Sequence, residues 1–152
     1  MKKLLFITLV MIWSISVVNA NGLLNGTWDD MKNYGLGWRF FNENWERRIS
    51  GNLHNRGTYV IYGNTITMSV THVRLGRSWL TRPQMRAAYI EDKSFMYWLT
   101  MESIDERLES VFGRLTTYTF SVNHSTLALY RHFNWDDDII TSTLPSIYAI
   151  RW

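Results

Sequence analysis

The clearest pattern in the chain runs from Gly57 to Val73, GTYVIYGNTITMSVTHV. From Thr65 onward polar and apolar positions alternate: Ile66, Met68, Val70 and His72 share one face, and Thr65, Thr67, Ser69 and Thr71 share the other. Period two in a run rich in β-branched residues is the mark of a strand with one buried face. Thr58 to Tyr62 is strand-like as well, and Gly63-Asn64 between the two runs is a tight hairpin turn that uses positive φ. The pattern returns from Thr116 to Arg131, TTYTFSVNHSTLALYR, with Tyr118, Phe120 and Val122 on one face. A turn at Asn123-His124-Ser125 follows, and Leu127 and Leu129 resume the inner face. Residues 24–30 form a first strand around Trp28, GLGWRFFNENWERRIS gives two short strands, and SIYAIRW after Pro145 gives a last one. The set of eight is 24–30, 36–41, 45–49, 57–62, 65–74, 116–122, 126–132 and 146–152.

Between the fifth and sixth of these strands the period changes. In LTRPQMRAAY, Thr81 can cap a helix that has Pro83 in its first turn. In SIDERLESVF, Ser103 and Glu106 have the spacing of a capping box, with Ile104, Leu108 and Val111 or Phe112 at helical intervals. One or two short helices therefore fill the middle connection, where they are expected to lie as a lid over a barrel mouth. Eight mostly antiparallel strands with one helical excursion predict a mainly β fold, an up-and-down barrel whose closure removes exposed sheet edges. A barrel of that size is either filled by its side chains or holds one small ligand.

The start of the first strand, Gly26-Thr27-Trp28, resembles the Gly-x-Trp signature of lipocalins. FFNENWERRISG, RGTYVIYGNTITMSVTHV and YTFSVNHSTLALYR further resemble small lipocalin-like (calycin-type) domains of exported bacterial proteins, over most of residues 23–152. The resemblance implies that Gly26 and Trp28 close one end of the barrel and that a late arginine packs on the indole. Arg151 matches the family position, and Arg131 competes because it shares the face of Leu127 and Leu129. It also implies a small, largely apolar ligand, bound without covalent attachment and without a cofactor. Met68, Val70 and His72 would line its site, together with Tyr118 and Phe120 and with Trp38 and Phe40. A filled barrel acting as a protein-interaction or inhibitor module is the alternative.

The first twenty residues change the compartment. Lys2 and Lys3, an apolar run from Leu4 to Trp13, and small residues ending at Ala20 are the parts of a secretory signal peptide. The apolar stretch, about 15 residues, is short for a membrane-crossing helix. The expectation is export, periplasmic or secreted, with residues 21–152 as one domain. Sixteen basic against 13 acidic side chains give a formal +3, but the leader holds two lysines and no acid, so the mature chain would stand at +1. That balance argues against a nucleic-acid partner. Absence of cysteine excludes a disulfide scaffold and a thiol nucleophile. An eight-stranded outer-membrane barrel shares the export and the period, and Tyr148, Ile150 and Trp152 fit its closing pattern. Its strands need about nine to eleven residues, however, and only the fifth comes near, so stable membrane insertion is not expected.

No nucleophile elbow, zinc-protease helix or phosphate loop is present, and no enzyme activity or metal centre is expected. Asp136, Asp137 and Asp138 beside His132 read as a solvated loop. Arg74, Arg77, Arg82 and Arg86 cluster before and within the helical segment, where they could meet an anionic partner but more simply face water. Asn25-Gly26-Thr27 and Asn123-His124-Ser125 both match a glycosylation sequon, and their letters serve turn and strand without sugar.

Overall fold

An alternating strand has to take one face out of water, and a sheet rolled on itself does so without leaving edges. A computed structural model describes residues 22–33, 35–50, 52–92, 101–135, 138–142 and 145–151, so the expected leader at residues 1–20 lies outside the described residues. The elements are β1 (Gly26–Asp30), β2 (Leu36–Phe41), β3 (Asn44–Ile49), β4 (Asn52–Tyr62), β5 (Thr65–Leu75) and β6 (Ser78–Leu80). There follow α1 (Arg82–Glu91), α2 (Met101–Leu108), a π-helical turn (Glu109–Gly113), β7 (Thr116–Val122), β8 (Thr126–Trp135), β9 (Asp138–Thr141) and β10 (Ile147–Arg151).

Sequential antiparallel pairing runs β1-β2-β3-β4-β5-β7-β8, and β10 bridges β8 back to β1. The result is a closed eight-stranded up-and-down barrel. β6 and β9 are short strands folded back on β5 and β8, outside the ring.

The hairpins β2–β3, β4–β5 and β7–β8 gather at one end with Gly26 and Arg151; β6 and the helices lie at the other. At the β7–β8 turn the Asn123 side-chain oxygen accepts from the backbone N–H groups of Ser125 and Thr126, which accounts for that sequon-like triplet.

The apolar faces point inward and fill the half of the barrel nearest the hairpins. Trp28, Phe40, Ile66, Leu127 and Leu129 are fully or almost fully buried, and Phe120 and Tyr59 pack among them. Phe40 meets Tyr59 edge-on with ring centroids 5.6 Å apart. Each such side chain stabilises the fold by about 1.5–3 kcal/mol relative to exposure.

The closed end is built on Trp28. Its indole N–H donates to the Leu24 carbonyl at 2.8 Å, and Arg151, its direct cross-strand partner, lies with Cζ 5.4 Å from the ring centroid. The same guanidinium donates to the Asn25 carbonyl. Gly26 is required here: its φ is +148°, and a Cβ would stand 2.9 Å from Arg151 Nε. Arg131 sits at the opposite rim: Arg151 N–H bonds to Ser125 at the start of β8, and Arg131 lies about 20 Å further along that strand at roughly 3.3 Å per residue.

The helical segment carries its own small core of Met85, Ile104 and Leu108, with Leu80, Tyr89 and Phe112 packed around it. Thr81 begins α1, its backbone N–H donating to the Gln84 side chain at 2.9 Å. Ser103 lies inside α2 rather than at its cap, because Met101 and Glu102 before it are already helical. The segment packs mainly on β5 and β6, so it flanks the open end on one side where a lid had been expected.

Candidate functional site

Above the filled half, the inner face changes character. A cavity of about 210 Å³ opens at the end opposite Trp28. Part of its wall is apolar: Trp38 on β2, Trp45 on β3, and Met68 and Val70 on β5. The rest is polar, with Arg47 on β3, Asn55 on β4, Thr116 and Tyr118 on β7, Arg131 on β8, and Arg114 just after the π-helical turn. The strand residues among them converge because they share the inner face, Trp45 from just after the β2–β3 turn and Thr116 from the first position of β7, with Arg114 just before that strand.

The barrel wall has a gap beside them. β7 begins at Thr116, paired with Met68, whereas β5 continues to Leu75 and β8 to Trp135. Above Thr116 neither neighbour has a β7 partner; β6 and the π-helical turn pack on β5 there, so the cleft lies along β8, with Arg114 in its wall. A depression of about 460 Å³ shares Arg114, Thr116 and Arg131 with the cavity and passes out over Thr117, His132 and Phe133. The cavity is therefore reached through the rim without unfolding the barrel.

Among the described residues lining this mouth, the charged side chains are arginines. Among the described residues, the ion pairs join Arg39 to Glu46, Arg82 to Glu109 and Arg86 to Asp105; none involves Arg47, Arg114 or Arg131. Arg47 lies over the Trp38 ring at 5.4 Å and Arg131 against Phe133 at 5.3 Å, contacts that orient the guanidinium groups but leave their N–H donors available. Arg47 Nε, Trp38 Nε1 and Asn55 Oδ1 are buried, with no hydrogen-bond partner among the described residues. A buried polar atom left unpaired costs about 1–3 kcal/mol, so these atoms are conspicuous. Burial raises the Tyr118 hydroxyl above its ordinary pKa, while Arg131, Arg47 and Arg114 act in the opposite direction.

Of the residues expected to line a ligand site, Trp38, Met68, Val70 and Tyr118 are in the wall of this cavity. Phe40 and Phe120 face inward too, but lie deeper, within the packed core. His72 is corrected. The β4–β5 register shifts between Arg56 and Gly57, so that Val70 opposes Gly57 and His72 opposes Arg56 on the outer face. There His72 shares a hydrogen bond with Thr71, and burial followed by the Arg56 charge lowers its pKa.

The bulge has a steric cause. A Cβ on Gly57 would lie 1.7 Å from the Ser69 carbonyl oxygen, which accepts, as does Thr58, from the Trp45 indole at 3.1 Å. The outer arginine cluster is used structurally: Arg82 and Arg86 hold the helical segment together, and Arg74 Nε donates to the Gly76 carbonyl. Asp136 and Asp137 lie outside the described residues, and among the described residues no group of three acidic or histidine side chains is placed to hold a metal ion.

Sequence reasoning missed Arg47, Asn55, Arg114 and Thr116. For Arg47 the signal was parity, since it shares the face of Trp45, and Arg131 carries the same signal with Leu129. Comparison with protein-family models, with curated proteins and with solved structures returns no match.

Proposed function

We propose that the protein is an exported, lipocalin-like binding protein that holds a small molecule non-covalently at the open end of its barrel and carries out no catalysis. One observation carries this reading: the barrel is filled from Trp28 up to Phe120 and Leu129 but open above them, with aromatic and aliphatic walls and a gap in the rim. The Gly26-Trp28-Arg151 closed end supports the lipocalin likeness, since its arginine stacks on the indole. A wall that includes Arg47, Asn55 and Arg131 replaces the largely apolar one expected from sequence. A volume near 210 Å³ suits a body of one or two rings, below the range of about 300–1,000 Å³ for drug-sized sites.

The orientation of the faces disfavours insertion into a membrane as a barrel. Lipid-facing strands need a continuous apolar outer band, whereas here Arg39, Glu46, Arg48, Thr58 and Thr67 interrupt the exposed Val60, Tyr62, Tyr148 and Ile150, and the buried apolar residues point inward.

The test is native mass spectrometry of protein isolated from its own host. One co-purifying small molecule per chain, displaced by an aromatic fluorescent probe, is the expected result. No bound molecule and no probe binding by the folded chain would instead favour a filled interaction module.

A further inference from the structure

The mouth holds three guanidinium groups in the wall of one small cavity, with no carboxylate among the described lining residues. Like charges at such a distance repel, and an arrangement of this kind is ordinarily relieved by a counter-charge. Among the described residues no carboxylate pairs with these three, Glu46 being paired with Arg39 and Glu109 with Arg82. The two unpartnered N–H donors, Trp38 Nε1 and Arg47 Nε, belong to the same wall. Trp38 is only 7% exposed, so its donor is held in the protein rather than offered to bulk water.

Donors and positive charge lie beside an apolar surface formed by Met68, Val70 and the Trp38 and Trp45 rings. Such a wall matches a ligand with two parts. Resting on the binding function proposed above, we infer that the site takes a compact aromatic or aliphatic organic anion, its carboxylate held among Arg47, Arg114 and Arg131 and its body against Trp38, Met68 and Val70. Guanidinium groups suit this role because they remain charged at any physiological pH and present forked donors to a planar oxyanion. A free inorganic anion would satisfy the charges but leave the apolar wall wet, and a neutral ring would do the reverse.

Three probes separate these cases by isothermal titration on the full mature chain: 2-naphthoate, the nearly isosteric neutral 2-naphthamide, and inorganic phosphate. Naphthoate is expected to bind at least about tenfold more tightly than either of the others, the step of one good charge-assisted contact. Arg47→Met and Arg131→Met should each cost naphthoate roughly tenfold while changing naphthamide less than about twofold. Arg39→Gln, on the outer face, should change neither. Should a methionine variant fail to fold by circular dichroism, the sodium chloride dependence of the unaltered protein tests the same charges, naphthoate weakening with salt and naphthamide not.

Equal affinity for naphthoate and naphthamide would overturn the anion assignment but leave the cavity as a binding site. Phosphate matching naphthoate would overturn the organic body. Failure of all three to bind would remove both this inference and the function on which it rests.

Discussion

The closed end offers the sharpest test of how the fold is held. Trp28 is fully buried, its N–H is bonded to Leu24, and Arg151 lies across its ring while donating to Asn25. Replacing Trp28 with leucine removes the indole donor, the π face and part of the core volume at once. Large-to-small changes of this kind cost about 3–5 kcal/mol, a large share of the roughly 5–15 kcal/mol that holds a domain together. Arg151→Met keeps the aliphatic stem but removes the cation and its hydrogen bond, for about 1–3 kcal/mol. The two changes should not add. In the double variant the arginine has already lost its aromatic partner, so a coupling of about 1–2 kcal/mol is expected, the strength of a desolvated cation–π contact. Urea unfolding followed by far-UV circular dichroism measures all four corners without relying on the tryptophan signal. Additivity within about 0.3 kcal/mol would refute the reasoning, leaving Arg151 as a hydrogen-bonded filler indifferent to the ring. The mouth lies at the other end, so folded Arg151→Met protein should bind small molecules as the unaltered chain does.

Other consequences follow from individual contacts. Gly57→Ala places a Cβ 1.7 Å from the Ser69 carbonyl oxygen and 3.0 Å from the Trp45 indole nitrogen; a loss of about 3 kcal/mol or more in chemical denaturation is expected, because main chain must move. Ile104→Ala removes a fully buried side chain from the separate helical core, and should cost that unit about 2–4 kcal/mol; hydrogen exchange should show α1 and α2 losing protection while the barrel strands keep theirs. The Arg86 hydrogen bond and charge hold the Asp105 carboxyl below its ordinary pKa. Its contribution is thus present above the unfolded carboxylate value and is lost as pH falls through the lower folded one. Amide chemical shifts in α1 and α2 should move across that acidic window, and should not in Asp105→Asn.

Where the sequence pattern was easy to read and where it failed have a common cause. Alternation located the barrel because apolar side chains at every second position leave a strand few other ways to bury them: Ile66 and Met68 on β5, and Tyr118 and Phe120 on β7, all face inward. The upper part of β4 is hidden because its inward position is polar. Asn55 breaks the alternation that marks a half-buried strand, so the pattern begins at 57 while the strand begins at Asn52, and β8 runs on past 132 to Trp135. Asn55 is part of the cavity wall. His72 failed for a different reason: parity was carried past Gly57, and the extra residue accommodated there reverses the face of everything beyond it. A bulge set by the room above one glycine and by an indole from a third strand has no local signature. β6 and β9 are three and four residues long and lean on longer neighbours, which leaves too few positions to show a period.

The arginines at the two ends show why the polar residues are where they are. Arg151 is spent: its donors reach a carbonyl and its face meets an indole, so the charge costs little in a closed, packed setting. Arg47 and Arg131 also lie against rings, but neither they nor Arg114 have an ion-pair partner among the described residues. Placed beside Phe40 or Leu129, an unpaired guanidinium would carry a desolvation penalty of several kcal/mol that an eight-stranded barrel has little stability to absorb. At the rim, solvent entering along β8 above the start of β7 screens the same charges, and the penalty falls toward that of a surface group. A barrel this narrow therefore confines polar recognition to its upper layer, and the early stop of β7 at Thr116 keeps that layer both wet enough to tolerate unpaired charge and open enough for a ligand to neutralise it.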